Sequence, residues 1–204
     1  IVQALSRGRK LENQILLLIG RRGAGKTTFV DYLRVKRLPQ DIRESTVWLH
    51  LNLNDAPKGR GELQKWVLRE IVDKLEKSDR SIDFNTPAAT NKLYSREILE
   101  LKNRVLFNLT PGSDAYNTQL TQELSKIHGD YLRRAKALKW YLAEQKEKLL
   151  VVVFDNCDKR DRDDQLDCFE IARYVQKEVE CLIVLPIRDV TYHLYNNEPP
   201  LDAS

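Results

Sequence analysis

Four short apolar runs along the chain predict β-strands. They are Ile15–Ile19, Val47–Leu53, Leu149–Phe154 and Cys181–Ile187. The first, third and fourth runs are continuous rather than alternating, which is typical of strands covered on both faces of a parallel sheet. The second run lies in the stretch TVWLHLNLND and alternates more. We therefore expect one of its faces to be less buried than the other.

Helical patterns follow the first three strands, with apolar residues spaced three or four positions apart. These residues are Phe29, Val30 and Leu33 in the first pattern, Leu63, Val67, Leu68, Ile71 and Leu75 in the second, and Leu166, Phe169, Ala172 and Val175 in the third. We place the third helix at 165–178. Strands that alternate with helices predict an α/β fold with a mostly parallel sheet and right-handed crossovers.

The connection between the second and third strands is too long for one crossover helix, since it takes almost a hundred residues. Two of its segments are rich in turn-forming residues and predict loops, and two others have a helical pattern. The loops are at 78–91 and 108–117, and the helices are near 92–107 and 118–147. The last helix carries an apolar stripe of Leu120, Leu124, Ile127, Tyr131, Leu138 and Leu142. We expect a helical insertion at about 78–147 that packs beside the sheet or projects from it.

The composition suits one globular domain over residues 1–204, because 42% of the residues are hydrophobic and 31% are charged. The longest apolar runs are too short to span a bilayer, and no secretory signal is recognisable. Cys157, Cys168 and Cys181 form no CxxC pair, which predicts reduced, buried thiols in a cytoplasmic protein. The sequence contains no methionine, and we expect the natural protein to be longer at one or both ends.

The net charge of +4 is unevenly distributed, because residues 1–60 carry twelve Lys and Arg against five Asp and Glu. A basic patch of this kind can mark a nucleic-acid site. A solvated basic surface is the commoner cause, and we favour it here.

The stretch GRRGAGKT at 20–27 fits the pattern G-x-x-x-x-G-K-[ST], known as the P-loop or Walker A motif. Glycines let successive backbone N–H groups face one phosphate, and the next helix points its positive end at the same anion. Lys26 would meet the β- and γ-phosphates, Thr27 would ligate Mg²⁺, and Thr28 would bind the α-phosphate. The predicted phosphate-binding residues are Gly20, Gly23, Ala24, Gly25, Lys26, Thr27 and Thr28. The alternative is a glycine-rich turn that binds nothing.

The third strand supplies the acidic residue that a phosphate loop needs. The stretch LLVVVFDNCD (149–158) is an apolar strand that ends in Asp155, as in a Walker B motif. At the carboxyl edge of a parallel sheet, this carboxylate would face the phosphate loop and hold Mg²⁺ directly or through water. The alternative is an aspartate that caps the following loop.

Hydrolysis also needs a group that orients or deprotonates water. Many proteins of this architecture carry glutamate directly after the metal-binding acid. Here that residue is Asn156, which can position water but cannot act as a base. Asp158 is therefore the candidate base, whereas Asp161, Asp163 and Asp164 fit first-turn acids of the next helix better.

Arg188 ends the fourth strand, in the stretch CLIVLPIRDV. A guanidinium at this edge would contact the γ-phosphate and stabilise charge during phosphoryl transfer. The alternative is a surface arginine paired with Asp189.

Two histidines and the end of the second strand carry weaker signals. His50 and His128 fit packing or a local hydrogen bond better than catalysis. Asn52, Asn54 and Asp55 fit either a contact with the attacking water or a strand-ending turn.

Four arginines are further candidates for contacts between subunits. Arg21 and Arg22 fill free positions of the Walker A motif, where they are either solvated or in contact with a neighbouring subunit's nucleotide. Arg133 and Arg134 are candidates for an arginine finger in trans.

The Walker A motif, VVVFDNCD and LIVLPIRD, in this order, resemble the STAND class of P-loop ATPases, relatives of the AAA+ proteins. That class has a second acid three residues after the metal-binding one and an arginine that closes the next strand. The corresponding residues here are Asp158 and Arg188. The stretches FDNCDKRDRDDQ and LPIRDVTYHLY look most like ATPase modules of large prokaryotic defence proteins. The resemblance covers about half the chain and leaves out the helical insertion.

This resemblance implies a P-loop NTPase fold, a three-layer sandwich, with ATP and Mg²⁺ as cofactors. It implies a cytoplasmic switch module, in which ATP favours an assembled state of a larger, self-associating protein and hydrolysis favours the resting state. ATP rather than GTP follows from the family, and no NKxD-like motif is present. Lys159 stands where STAND proteins often carry another acid, which implies slow turnover. The sequence also ends before the fifth strand and helical lid that such ATPases have.

Three other functions are alternatives to the ATPase switch. The basic first sixty residues suit a DNA-dependent ATPase of the origin-recognition type, whose DNA affinity would fall steeply with salt. A P-loop kinase for a small molecule would need lid arginines near the P-loop, and no clear candidates are present. Asn156 and Lys159 also suit a module that holds nucleotide with little turnover.

Overall fold

A four-stranded sheet forms the centre of the computed structural model, which describes residues 14–78, 84 and 86–195. The strands are β1 (Ile15–Gly20), β2 (Thr46–Asn52), β3 (Leu149–Asp155) and β4 (Leu182–Arg188). Their order across the sheet is β1-β4-β3-β2, and neighbouring strands are parallel throughout. The four predicted strands are confirmed to within one residue at each end.

The connections between the strands are mainly helical. The helices are α1 (Lys26–Tyr32), α2 (Gln40–Glu44), α3 (Arg60–Ser78), α4 (Pro87–Leu93), α5 (Ser95–Arg104), α6 (Asp114–Gly129), α7 (Tyr131–Gln145), α8 (Arg162–Val175) and α9 (Asp189–Tyr195). Turns of π-helix extend α1 and α8 at Leu33–Arg37 and Gln176–Glu180, and 3₁₀ turns follow β2 and β3 at Leu53–Asp55 and Cys157–Lys159. Within the described ranges, none of the helices has the length and apolar character needed to cross a bilayer.

Helices cover both faces of the sheet, so the fold has three layers. On one face, α1 places Val30 against Val151 and Val153 of β3. On the other face, α3, α7 and α8 bury their apolar sides against Val152 and Phe154. Alternate residues of a strand point to opposite faces. The continuous apolar run of β3 therefore supplies both layers of the core.

The edge strand β1 is less buried than its sequence predicts. Its residues are mostly half-buried, and Ile19 is 42% exposed. The prediction of cover on both faces is confirmed for β3 and β4 and holds in part for β1, whose Ile15 and Leu17 pack against one core cluster and whose Leu16 and Leu18 pack against the other. The reason is position, because β1 has a strand neighbour on only one side in the described sheet. The second strand alternates between buried and half-buried residues, as predicted.

The helical insertion packs beside the sheet rather than projecting from it. Its helix α7 lies against α3 and β3, and buries Ala135, Leu138 and Leu142 in the main core. The next helix outward, α6, packs on α7, and α5 packs on α6. The insertion therefore shares the main hydrophobic core with the sheet.

The predicted single helix at 118–147 is two helices. The chain breaks at Asp130, whose carboxylate accepts hydrogen bonds from N–H groups in the first turn of α7, at 2.9 and 3.1 Å. Such a cap satisfies donors that a continuous helix would pair internally, and it lets the chain change direction.

The predicted loop at 78–91 is helical at its end, where α4 begins. The hydroxyl of Thr86 accepts a hydrogen bond from the backbone N–H of Ala89 and caps this helix. The rest of this prediction, at 79–83 and at residue 85, lies outside the described residues.

The three cysteines are free and buried, as predicted. Burial raises the pKa of the Cys168 thiol to about 12 and that of Cys157 well above its ordinary value. Since the thiolate is the reactive form, both side chains act as small apolar residues of the core.

The buried Tyr94 and the half-buried His128 form a polar pair within the insertion. The Tyr94 hydroxyl is 3.1 Å from Nδ1 of His128, which confirms a local hydrogen bond for this histidine. Burial raises the pKa of Tyr94 to about 12. The neutral phenol therefore stabilises the fold fully below the ordinary tyrosine pKa near 10, and this contribution is lost as the pH rises from 10 towards 12.

Replacing Tyr94 with phenylalanine should separate the contribution of the hydrogen bond to His128 from the pH dependence that the raised pKa of Tyr94 causes. At pH 7 we expect the variant to lose about 1 kcal/mol of unfolding free energy, because one hydrogen bond is removed. Between pH 9 and 11 its unfolding free energy should fall less steeply than that of the wild type. Urea denaturation across this range measures both, and equal alkaline slopes would contradict the assignment.

Candidate functional site

The glycine-rich loop joins β1 to α1 as the sequence predicts. Gly23 and Gly25 have φ angles of 77° and 71°, a left-handed conformation that a Cβ atom strains. Gly25 directly precedes α1, and its carbonyl accepts a bond from the N–H of Phe29 at 2.7 Å. Glycine is therefore required at both positions by the backbone of the turn.

Lys26, the first residue of α1, folds back over this loop. Its ammonium donates hydrogen bonds to the carbonyl oxygens of Gly20 and Arg21, at 2.9 and 3.2 Å. These acceptors are neutral, and a phosphate oxygen would make a stronger bond because the acceptor as well as the ammonium donor would then be charged. The side chain is thus held beside the loop by bonds that an anion could replace.

The rest of the motif is accessible. Ala24 and Thr28 are exposed, as are Arg21 and Arg22 at the free positions. The Gly20 backbone lies close under the loop, since a Cβ atom there would be 3.6 Å from the Cβ of Ala24.

Asp155, at the end of β3, has polar partners on three sides. Its Oδ2 receives the Thr27 hydroxyl at 2.8 Å and lies 3.0 Å from Nε2 of His50. Its Oδ1 accepts the backbone N–H of Asn156 at 2.9 Å. Burial alone would raise the pKa of this carboxyl group, but the bonds from His50 and Thr27 outweigh burial and hold the pKa below its ordinary value. Asp155 is therefore a buried, ionised carboxylate that faces the glycine-rich loop.

Strand register explains why residues so far apart in sequence meet. Gly20 lies opposite Arg188 on β4, and Asp155 lies opposite Asn52 on β2. The four strands thus end at one edge of the sheet, with β4 between β1 and β3. The Thr27 hydroxyl reaches across this intervening strand to Asp155.

Asp158 and Arg188 form an ion pair at the same edge. Nε of Arg188 lies 3.0 Å from Oδ2 of Asp158, and the two side chains are 27% and 7% exposed. The alternative pairing of Arg188 with Asp189 is wrong, because the Asp189 carboxylate accepts the N–H of Val190 instead. The structure therefore brings together the candidate base and the candidate phosphate-binding arginine.

Asn156 has a φ angle of 65°, in the left-handed region that asparagine tolerates better than most residues. Its side-chain amide donates to Oδ1 of Asn52 at 2.7 Å. Asn52 in turn donates to Oδ2 of Asp55 at 2.9 Å and accepts the N–H of Asn54 at 3.4 Å, so a strand-ending turn is confirmed for these residues. The Asn156 amide thus ties the ends of β2 and β3 together.

The other predicted polar residues lie as follows. Asp161 caps α8, which begins at Arg162 rather than at 165, and Asp163 and Asp164 are first-turn acids, as predicted. Arg134 is held in an ion pair with Glu76, whereas Arg133 is exposed.

Arg160 has a structural role that the sequence does not reveal. Its guanidinium donates to the carbonyl oxygens of Leu53, Ala56 and Pro57, at 2.7, 3.0 and 2.7 Å, and pairs with Asp164 at 3.2 Å. Both side chains of this ion pair are almost fully buried. Arg160 therefore fastens the loop after β2 to the start of α8, next to the turn that holds Asp158.

Replacing Arg160 with alanine should destabilise the protein by about 3–5 kcal/mol, because Asp164 would remain buried without its partner. Lys159→Ala is the matched control, since this neighbouring residue is exposed and should change stability by less than about 0.5 kcal/mol. Urea denaturation at pH 7 measures both. Similar values for the two variants would show that the Arg160 contacts contribute little.

The donors near the loop fit a magnesium–nucleotide complex. The Thr27 hydroxyl and the Asp155 carboxylate are hard oxygen ligands, already 2.8 Å apart. Mg²⁺ commonly takes one or two such protein ligands and completes its shell with phosphate oxygens and water. In the described part of the chain, no group of three or more His, Cys, Asp and Glu side chains is arranged to hold a metal ion by itself.

Comparison with known proteins gives no further information on the function of this chain. No protein-family model matches the chain. No curated protein matches it either.

Proposed function

We propose that this chain is a P-loop ATPase module of the STAND type, which binds ATP with Mg²⁺ and hydrolyses it slowly. The observation that carries the proposal is the 2.8 Å bond between Thr27, next to the glycine-rich loop, and Asp155, two strands away. A glycine-rich turn that binds nothing has no need of a buried carboxylate from another strand. Paired in this way, the two side chains suit an anion that carries a divalent cation.

Each side chain has a distinct task in this proposal. Lys26 exchanges its carbonyl acceptors for oxygens of the β- and γ-phosphates, while the loop N–H groups bind the phosphates. Thr27 and Asp155 hold the Mg²⁺ that arrives with ATP, and this ion neutralises charge on the phosphates. Thr28 contacts the α-phosphate.

Hydrolysis in this scheme depends on the pair of Asp158 and Arg188. When the guanidinium turns to the γ-phosphate, the Asp158 carboxylate is released and can take a proton from water. The water oxygen then bonds to the γ-phosphorus, the bond from that phosphorus to the bridging oxygen breaks, and ADP departs. Because the ion pair must first separate, turnover should be slow.

The nucleotide can act as a switch through the same contacts. The γ-phosphate gives extra partners to Lys26 and Arg188 only in the ATP state, and this difference in affinity can shift a conformational equilibrium. We propose that the shift controls self-association of a larger, cytoplasmic protein, in defence or signalling.

A binding module with little turnover is the second candidate. It is favoured by the Asn156 amide, which is engaged with Asn52, and by the pairing of Asp158 with Arg188. In this case Asn156 and Asp158, the two candidates for orienting or activating water, serve to hold the edge of the sheet together.

Phosphate release in the presence of ATP and Mg²⁺, with and without double-stranded DNA, separates these candidates. We expect slow release that DNA does not change. ATP binding without release would favour the binding module, and release only with DNA, lost at high salt, would favour the DNA-dependent ATPase. Absence of ATP binding would overturn the proposal.

A further inference from the structure

We propose that His50 is a positioning residue for Asp155 and fixes its carboxylate for the divalent cation of the bound nucleotide. This inference rests on the proposed function. The sequence favours only packing or a local hydrogen bond for this histidine, and the bond found is to the predicted metal ligand itself.

The contact between His50 and Asp155 is one of several that restrict the movement of the Asp155 carboxylate. Nε2 of His50 lies 3.0 Å from Oδ2 of Asp155, the same oxygen that accepts the Thr27 hydroxyl at 2.8 Å. The backbone N–H of Asn156 holds the other oxygen. With both oxygens bonded, rotation of the carboxylate is restricted, and the remaining lone pairs keep a defined direction.

His50 belongs to a more rigid part of the fold than Thr27 does. It lies within β2, opposite Val153 of β3, in the ladder that also aligns Asn52 with Asp155. Thr27 lies on α1 next to a loop that must adjust when phosphate displaces the carbonyl bonds of Lys26. The histidine bond thus ties the carboxylate to the sheet, whatever the loop does.

The restraint also requires a defined proton. An ionised carboxylate only accepts hydrogen bonds, so Nε2 of His50 must carry a hydrogen. Hydrogen bonds to metal-ligating groups commonly change metal affinity by about 10- to 100-fold when removed. A comparable effect is expected here on the affinity for the cation, whereas the affinity for ATP without a cation should not change.

The test uses His50→Leu, which keeps bulk and loses the donor, and His50→Gln, whose side-chain amide replaces the Nε2 donor. Mn²⁺ affinity of the protein–ATP complex is measured by electron paramagnetic resonance, and ATP affinity is measured separately in EDTA. We expect His50→Leu to weaken Mn²⁺ binding roughly 10- to 100-fold, with ATP affinity in EDTA within about twofold of wild type and near-normal Mn²⁺ affinity in His50→Gln.

Two results would overturn the role of His50 and leave the proposed function intact. One is wild-type Mn²⁺ affinity in His50→Leu, and the other is an equal loss of ATP affinity in EDTA, which would place the effect on the loop or the fold. If wild-type protein binds no ATP in either condition, the proposed function fails and the inference fails with it.

A measurement on the unaltered protein guards against a variant that does not fold. Long-range ¹⁵N–¹H spectra of the imidazole report which ring nitrogen carries hydrogen. A hydrogen on Nε2 of His50 is expected. The Nδ1–H tautomer, with a bare Nε2 facing the carboxylate, would overturn the inference.

Discussion

Replacing Lys26 with alanine is expected to lower ATP affinity by roughly 100-fold, because a hydrogen bond to a charged group contributes up to about 3 kcal/mol. The fold should change little, since the bonds lost are two exposed or half-buried contacts to the carbonyl oxygens of Gly20 and Arg21. Titration calorimetry with ATP and Mg²⁺ measures the affinity, and circular dichroism checks the fold.

Lys36→Ala is the matched control for this change. It removes the same charge from an exposed position on the turn that extends α1, away from the glycine-rich loop. We expect a change of less than about threefold, due to long-range electrostatics alone. Equal losses in the two variants would mean that Lys26 contributes only net charge and that the loop is not a phosphate site.

Replacing Asp158 with asparagine is expected to lower the rate of phosphate release by about 10²- to 10⁴-fold, the usual contribution of a general base. ATP affinity should stay within a few-fold of wild type, because Asp158 contacts Arg188 and not the glycine-rich loop. Single-turnover phosphate release and equilibrium binding separate the two effects.

Asp163→Asn serves as the control for this second prediction. Asp163 is an exposed first-turn acid of α8, and its loss should affect neither rate nor affinity beyond about twofold. If Asp158→Asn releases phosphate at the wild-type rate, Asp158 is not the base. Its bond with Arg188 would then be structural.

Much of this fold follows from local pattern. Apolar runs located all four strands. Three of these runs are continuous, because parallel strands between two helical layers need apolar residues on both sides. The alignment of Gly20, Asp155 and Arg188 at one edge follows from parallel strands, whose carboxyl ends share an edge. The bond between Thr27 and Asp155 is consistent with the Walker A pattern, which predicts Thr27, and the Walker B pattern, which predicts Asp155.

The remaining contacts depend on register and turn geometry that no short pattern contains. His50 meets Asp155 because β2 pairs with β3 in one register, and a shift of one residue would turn it to the other face. The signal that the sequence offered for His50 was a polar residue within an apolar strand. Arg160 meets three carbonyl groups of a loop more than a hundred positions earlier, and only the folded chain brings them together.

The backbone conformation of Asn156 gives one reason for the absence of glutamate at this position. The residue directly after Asp155 is left-handed, a conformation that asparagine adopts more readily than glutamate, although Glu147 and Glu180 also adopt it in the described chain. Asparagine accepts this conformation and bonds to Asn52. The absence of glutamate thus fits the turn as well as it fits weak catalysis.

A crystal structure with Mg²⁺ and a non-hydrolysable ATP analogue would show whether the glycine-rich loop and Asp155 together hold a magnesium–polyphosphate. We expect Nζ of Lys26 to leave the carbonyl oxygens of Gly20 and Arg21 for phosphate oxygens, with the cation between Thr27 and Asp155. A nucleotide bound elsewhere, with Lys26 still on the Gly20 carbonyl, would contradict this expectation.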